Sequence, residues 1–198
     1  THVRGSFSFA DAYDGGYLNH TYPNTVMDFS GAVARADVPV VSHETGQFQV
    51  YPDYREIAKY TGVLYPYNME VFRDRLARAG MSEQAEDFFL ASGRWAAELY
   101  KADIEMDLRT EGLAGFQLLD LQDYPGQGSA YVGILDAFMD SKGLVSPERW
   151  RGFCNEVVPL LLTEKFCWTA PPPKCLQMRM CCSAWGLSCP NARRRWRD

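Results

Sequence analysis

Two apolar runs, separated by a long stretch of helical periodicity, most constrain how this chain can fold. The first lies in DVPVVSHE at residues 37–44 and the second in LAGFQLLD at residues 113–120. Such continuous runs are typical of strands buried on both faces of a parallel sheet. Parallel strands need a long crossover connection between them, which is usually helical. The pattern therefore predicts an α/β fold with a parallel sheet.

The chain between the two runs predicts two successive helices. In the first, apolar residues recur every three or four positions and so share one helix face, and Gly80 fits its C-terminal stop. Ser82 fits the N-cap of the second helix, which we expect to end near RTEG at residues 109–112. The predicted apolar faces consist of Met69, Phe72, Leu76 and Ala79 in the first helix and of Ala85, Phe88, Ser92, Trp95, Leu99, Ala102 and Met106 in the second.

Shorter patterns complete the predicted fold. Alternation in HVRGSFSF at residues 2–9 predicts a first strand, and residues 10–25, rich in Asp, Gly, Asn and Tyr, predict a long loop. Residues 26–35 predict a short helix, and residues 132–143 predict a short amphipathic segment. A further helix is predicted in SPERWRGFCNEV at residues 146–157, with its Ser as the cap and its Pro in the first turn.

Charge and composition bound the possible function classes. The chain has a formal net charge of −5, which argues against a nucleic-acid partner because phosphates favour basic surfaces. No apolar run approaches the length of a membrane span, so we expect no membrane partner. Aromatic residues make up 14 % of the chain, a content that suits sugar-binding clefts and ordinary cores alike.

The composition changes abruptly near residue 169. The tail, residues 169–198, holds four of the six cysteines, and from Lys174 onward it has six Lys or Arg residues and one Asp. It shows no apolar periodicity. We therefore predict two parts, a folded part over residues 1–168 and a tail that is non-native, through a frame-shift, or disordered. A disulfide-bonded or basic interaction tail is the alternative.

Both predicted buried strands end in acids. The first run leads into His43 and Glu44, and the second leads into Asp120 and then Asp123. In parallel α/β folds, and above all in (β/α)8 barrels, function lies at the C-terminal ends of the strands. Carboxylates at that position suit glycoside hydrolysis, in which one attacks or stabilises the sugar carbon and another protonates the leaving oxygen.

Each of these residues also has a purely structural interpretation. Taken alone, Glu44 fits a solvated turn acid or a helix-start acid that the helix dipole favours. His43 fits a hydrogen-bonded structural imidazole, and Asp120 fits a cap or a partner of an arginine. Nearby aromatic residues fit ordinary packing, namely Phe48, Tyr51 and Tyr124.

Three segments resemble glycoside hydrolase family 2, the β-galactosidase- and β-glucuronidase-like enzymes. They are VPVVSHETGQ at residues 38–47, GFQLLDLQDYPGQG at residues 115–128 and VGILDAFMDSKG at residues 132–143. The resemblance extends over about residues 1–168 and concerns the C-terminal part of the catalytic domain. It implies a partial (β/α)8 TIM barrel, comprising the last three or four strands, with a long helical segment between the last two.

The resemblance also implies an activity, that of a retaining β-glycosidase acting on oligo- or polysaccharides. We name no cofactor and no metal-binding residue. Glu44 stands where the family has its nucleophile, at the end of the seventh strand. Some neighbouring side chains would orient the sugar hydroxyls or the nucleophile, and others would stack against the sugar ring. The predicted substrate-binding residues are His43, Gln47, Phe48, Tyr51, Tyr17, Asp120 and Asp123.

Two departures from the family pattern affect the prediction. Leu119 and Leu121 flank Asp120, where the family usually has a Trp, so we expect a divergent sugar specificity. The family's acid/base Glu follows an Asn on the fourth strand, whereas the only Asn-Glu pair here is Asn155-Glu156, beyond the eighth strand. We therefore expect a fragment that lacks the N-terminal half of its barrel and is inactive alone, from a periplasmic or extracellular enzyme.

Two other functional classes stay open at this point. One is a non-catalytic carbohydrate-binding or interaction protein on a decayed barrel. The other is an α/β module in which the acids are structural. An Asn-Glu pair at the end of an upstream strand would distinguish the enzyme from both.

Overall fold

The structure, a computed structural model, describes residues 1–5, 16–128 and 130–162 and the backbone of residues 177–182. Five strands and five α-helices are assigned in this described part, together with two short 3-10 segments. In chain order they are β1 (His2–Val3), α1 (Tyr17–His20), α2 (Ser30–Arg35), β2 (Val41–Gly46), a 3-10 helix (Tyr54–Lys59), α3 (Tyr67–Arg78), a 3-10 turn (Ser82–Gln84), α4 (Ala85–Arg109), β3 (Gly115–Leu119), α5 (Pro147–Arg151), β4 (Val157–Leu162) and β5 (Gln177–Cys182).

The three strands β1, β2 and β3 form a small parallel sheet with β2 in the centre. In the β1–β2 pair, His2 lies opposite Val41 and Val3 opposite Ser42. The helices α3 and α4 form the crossover from β2 to β3. The prediction of an α/β fold with a parallel sheet is therefore confirmed, and the two apolar runs form neighbouring strands of this sheet. The partial (β/α)8 barrel stays a prediction.

The bounds of β2 differ from the predicted ones at both ends. The strand begins at Val41, not at Val38, and it continues through Glu44 to Gly46. Pro39 has no N–H group to donate to a neighbouring strand, which explains the late start. The side chain of Val38 is correspondingly exposed. Of the predicted first strand, residues 2 and 3 form β1, and its continuation through residues 6–9 lies outside the described residues.

The two crossover helices lie where the sequence predicted them. Helix α3 ends at Arg78, and Gly80 follows with a φ of +71°, as a C-terminal stop requires. Helix α4 ends at Arg109, within the predicted bounds. Three details of the prediction were wrong. Ser82 begins a 3-10 turn before α4, and Trp95 and Ala79, both placed on apolar faces, are exposed, Trp95 by 50 %.

The remaining predictions have mixed outcomes. Short helices form at α2 and α5 as predicted, but the four-residue helix α1 interrupts the predicted loop. The predicted short amphipathic segment, residues 132–143, consists of turns and isolated bridges. In the predicted tail, β5 pairs antiparallel with β4, and the other tail residues lie outside the described part. The non-native origin of the tail stays a prediction.

The chain divides into two compact units. The first comprises the described residues of Thr1–His43, Lys101–Gln117 and Pro147–Asp198, and the second comprises those of Glu44–Tyr100 and Leu118–Ser146. Among the described residues, no helix combines the length and apolarity that crossing a bilayer requires. The core of the first unit includes a buried cluster of Val3, Phe29, Ala32, Val40 and Met106.

A close contact at Gly93 yields the first testable prediction. Gly93 is buried inside α4, and a Cβ atom there would lie 2.4 Å from both terminal methyl carbons of Leu144. Replacing a helical Gly by Ala normally gains about 1 kcal/mol. Here we expect Gly93→Ala to lower the free energy of unfolding, because overpacking costs about 1–3 kcal/mol. Urea denaturation of both proteins measures the difference.

A second substitution provides the control. In a Leu144→Ala background the contact is removed, so Gly93→Ala should become neutral or stabilising there. A stability gain from Gly93→Ala in the unaltered chain would contradict the packing described for this part of α4.

Candidate functional site

Glu44 lies near the C-terminal end of β2 in an unusual backbone conformation. Its φ is +55°, and Gly46 and Gln47 follow with φ values of +103° and +65°. Non-glycine residues seldom adopt this left-handed region, and such outliers cluster at functional sites. The Glu44 side chain is partly exposed, and its Oε2 accepts a hydrogen bond of 3.0 Å from the Gln47 side-chain amide. The strand end therefore presents an oriented carboxylate.

Gly46 is required at its position for two reasons. Its φ favours glycine, and a Cβ atom there would lie 2.1 Å from Cε1 of Tyr100. The aromatic ring of Tyr100, from α4, thus packs directly onto the backbone two residues after Glu44. This contact explains why the apolar run leads into Thr-Gly-Gln and not into further apolar residues.

The end of β3 is joined to the end of β2 by the backbone. The N–H of Gln47 donates a hydrogen bond of 2.9 Å to the carbonyl oxygen of Leu119. Asp120 follows at once, after a cis peptide bond, and its Oδ1 accepts a hydrogen bond of 2.8 Å from the N–H of Leu121. The structure therefore brings Glu44, Gln47 and Asp120 to one edge of the second unit.

Asp123 is buried and bound by its own loop, where Oδ1 accepts both hydrogen bonds and Oδ2 faces only the Lys142 charge at 2.8 Å. Its carboxylate accepts hydrogen bonds of 2.8 Å from the N–H of Gly133 and from Nζ of Lys142. Lys142 and Asp123 are 5 % and 6 % exposed at their side chains, so this is a buried ion pair. Burial raises the pKa of the Asp123 carboxyl, and the Lys142 charge opposes that rise. The pair closes the loop that follows β3, and a contact of Asp123 with sugar stays a prediction.

The aromatic residues after β2 pack inside the second unit. Phe48 is buried, and its ring meets that of Tyr100 edge-on at 5.6 Å between centroids. The hydroxyl of Tyr51 lies 2.8 Å from that of Tyr54, and the Tyr51 ring contacts Phe88. These contacts match the packing alternative, and ring stacking on sugar by Phe48 and Tyr51 stays a prediction.

His43 and Tyr17 belong to the first unit. His43 Nδ1 lies 2.8 Å from Oε1 of Gln117, and its ring meets that of His2 edge-on at 5.3 Å. Tyr17 stacks on Phe29, whose side chain lies in the buried cluster of that unit. Both residues therefore have structural contacts, and their predicted parts in substrate binding stay predictions.

The sequence predictions missed a network of ionisable residues next to Asp123. Lys59 donates hydrogen bonds to Asp136 and, at 2.6 Å, to Asp140. Burial raises the pKa of Asp136, but the Lys59 hydrogen bond and the N–H groups of Phe138 and Asp140 outweigh it and lower that pKa. These hydrogen bonds form a tight turn in which the Asp136 carboxylate stays ionised.

Of the residues in this network, Glu56 has the carboxylate whose burial is least offset by a nearby positive charge. It is buried on the 3-10 helix after β2, and Tyr60 donates a hydrogen bond of 3.3 Å to its carboxylate. Burial raises the pKa of Glu56, and the charges of Asp136 and Asp123 raise it further. Burial, together with Glu56, also raises the pKa of the Tyr60 hydroxyl to about 12.

The missed residues left little trace in the sequence. Lys59 and Asp136 are separated by 77 positions, and no periodicity connects residues so far apart. One local signal was present. The Asp136 carboxylate accepts hydrogen bonds from the N–H groups of Phe138 and Asp140, which follow it closely in sequence. This is the usual pattern of a turn that begins with Asp.

Comparison with protein families and with curated sequences identified no relative of this chain. No protein-family model matches the chain, and no curated protein sequence matches it. Within the part of the chain that the structure describes, no three side chains of His, Cys, Asp or Glu come together as a metal site requires. The site is thus characterised by its own geometry alone.

The buried Lys142–Asp123 pair yields a stability prediction. Lys142→Met should lower the free energy of unfolding by about 3–5 kcal/mol, because it leaves the Asp123 carboxylate buried without its countercharge. Denaturant unfolding measures this cost. Lys142→Met combined with Asp123→Asn should recover part of it, since the Asn side chain still accepts from the Gly133 N–H.

Lys101→Met is the matched control for this prediction. Lys101 pairs with Glu105 at 2.8 Å, but its side chain is 43 % exposed. Loss of such a surface pair costs no more than about 1 kcal/mol. An equal effect of both lysine substitutions would contradict the buried character of the Lys142–Asp123 pair.

Glu56 yields a prediction about pH. Because its pKa in the folded state is raised, protonation of Glu56 favours folding, and this contribution is lost as the pH rises through the folded-state pKa. Glu56→Gln should therefore stabilise the protein increasingly as the pH rises from the ordinary carboxyl range through the raised folded-state pKa, and then level off. Urea unfolding across this range measures the difference.

The exposed residue Glu83 supplies the control. Glu83→Gln should leave the pH dependence of stability unchanged. A stability difference between Glu56→Gln and the unaltered protein that is constant with pH would show that the Glu56 carboxyl titrates normally.

Proposed function

We propose that this chain forms the last part of a (β/α)8 barrel in a retaining β-glycosidase that resembles glycoside hydrolase family 2, with Glu44 as the nucleophile. One observation carries the proposal. A partly exposed carboxylate, held in left-handed backbone and oriented by Gln47, lies near the C-terminal end of the central strand of a parallel sheet. Active-site residues of barrel enzymes occupy such strand ends.

In the proposed reaction, ionised Glu44 attacks the anomeric carbon of the sugar. A bond forms between a carboxylate oxygen and that carbon as the glycosidic C–O bond breaks, and an acid protonates the departing oxygen. Water, deprotonated by the same acid/base residue, then hydrolyses the glycosyl ester and releases Glu44. Retention of configuration requires the two carboxyl groups to lie about 5–5.5 Å apart.

Of the two carboxyl groups that this reaction requires, the described residues supply the nucleophile. The Gln47 amide donates to Glu44 Oε2, which orients the carboxylate. In the family that the sequence resembles, the acid/base Glu lies on the fourth strand, and the proposal assigns the same role to a Glu upstream of Glu44. Asp120, at the neighbouring strand end, is placed to accept hydrogen bonds from sugar hydroxyls.

Substitution of Glu44 tests the proposal in the full-length product of the gene. Glu44→Gln keeps the shape and the hydrogen-bonding oxygen but removes the nucleophile, so kcat on aryl β-glycosides should fall by about 10⁴-fold or more. The panel should include galactosides, glucuronides and glucosides. Steady-state kinetics with each substrate measure the loss.

Glu111→Gln, at an exposed position after α4, is the control and should keep full activity. Near-normal turnover by Glu44→Gln would overturn the assignment of the nucleophile. If the unaltered protein binds sugars but hydrolyses none of these substrates, the non-catalytic carbohydrate-binding alternative replaces the proposal.

A further inference from the structure

Tyr100 is the residue that contacts both strand ends of the candidate site. Its ring lies against the backbone of Gly46, where even a methyl group would approach Cε1 to 2.1 Å. The same ring meets Phe48 edge-on. On the β2 side, Tyr100 therefore packs against residues on both sides of Gln47 and leaves no free space beneath the turn that follows Glu44.

On the β3 side, Tyr100 acts through its hydroxyl group. The hydroxyl lies 2.6 Å from the carbonyl oxygen of Val132 and 3.4 Å from that of Leu119. It also accepts a hydrogen bond of 3.3 Å from the N–H of Asp120. One proton cannot serve both carbonyls fully, and the short distance to Val132 makes that carbonyl the main acceptor. The hydroxyl thus links the end of β3 to the loop that returns past it.

We propose that Tyr100 is a positioning residue, which fixes the β2 end carrying Glu44 against the β3 end carrying Asp120. Tyr100 is 3 % exposed, so it acts through the backbone at these two ends and not on substrate. The direct link between the ends is the hydrogen bond from Gln47 N–H to Leu119 O, and Tyr100 contacts the two neighbours of Gln47 and the Leu119 carbonyl.

The catalytic consequence of this role rests on the proposed function of Glu44. A nucleophile must lie within a fraction of an ångström of its productive position, and misplacement by about 1 Å can cost about 100-fold in rate. The position of Glu44 depends on the left-handed turn through Gly46 and Gln47, which the Tyr100 ring supports from below. Loosening that support should affect the chemical step more than the affinity for sugar.

Tyr100→Phe tests the proposal in the full-length gene product, because it keeps the ring over Gly46 and removes only the hydroxyl. We expect kcat to fall by about 10- to 100-fold, with KM changed by no more than about twofold. We also expect amide hydrogen exchange at Gln47 to accelerate, because the peptide between Leu119 and Asp120 loses the hydrogen bond from the Asp120 N–H to the Tyr100 hydroxyl. The Val50 amide, bonded to Tyr131 O at 3.0 Å, should keep its exchange rate.

Tyr131→Phe is the matched control. Tyr131 is also buried, and its hydroxyl accepts a hydrogen bond from the Asn68 side chain, so both variants lose one buried hydroxyl group. We expect a similar drop in melting temperature for both variants, but unchanged kcat and unchanged Gln47 exchange for Tyr131→Phe. A purely structural role of Tyr100 would make the two variants alike.

The two readouts separate this inference from the proposed function. If the unaltered protein hydrolyses glycosides and Tyr100→Phe keeps its kcat, the inference is overturned and the proposed function stands. If the unaltered protein hydrolyses nothing, the proposed function fails, and Gln47 exchange decides the positioning role alone. Unchanged Gln47 exchange in Tyr100→Phe overturns the role in either case.

Discussion

The hydrogen bond from the Gln47 N–H to the Leu119 carbonyl is the interaction on which the candidate site depends. Parallel pairing already brings the C-terminal ends of β2 and β3 to one edge of the sheet. The bond extends that pairing past the last regular residue of each strand, into the turn that carries Glu44 and the peptide that precedes Asp120. Without it, the two acids would follow strands that diverge into separate loops.

Around this bond, the second unit combines two kinds of packing. Tyr100 and Phe48 fill the apolar side of the strand ends, and the Lys142–Asp123 pair closes the loop beyond β3. Buried ion pairs contribute little net stability, because desolvation offsets most of the attraction between the charges. Their usual value is geometric, since a buried carboxylate has few alternative partners. We interpret the pair as a device that fixes the path of the loop near Asp120.

Periodicity predicted the regular elements well, and its failures have physical causes. Helices α3 and α4 and strand β3 follow directly from apolar spacing. Trp95 was misplaced because, at its turn of α4, the small residues Gly93, Ala96 and Ala97 form the buried face. Leu99, Ala102 and Met106, further along the predicted apolar face, are buried.

The candidate site itself was predictable only in part. Acids at two strand ends indicated the edge of the sheet, and the neighbouring strands place Glu44 and Asp120 there. The contacts of Tyr100 and the cluster of Glu56, Lys59 and Asp136 arise between residues far apart in sequence, so only the fold reveals them. At residues 132–143, hydrogen bonds from backbone N–H groups to Asp136 favoured turns over the predicted amphipathic segment.

Covalent labelling tests the central claim most directly. A mechanism-based fluoroglycoside traps the glycosyl ester of a retaining enzyme, because the fluorine slows hydrolysis of the intermediate more than its formation. Peptide mass spectrometry of the full-length gene product after such treatment should locate the sugar on Glu44, as expected of a nucleophilic carboxylate. A label on Asp120, or on any other carboxylate while Glu44 stays unmodified, would contradict the account.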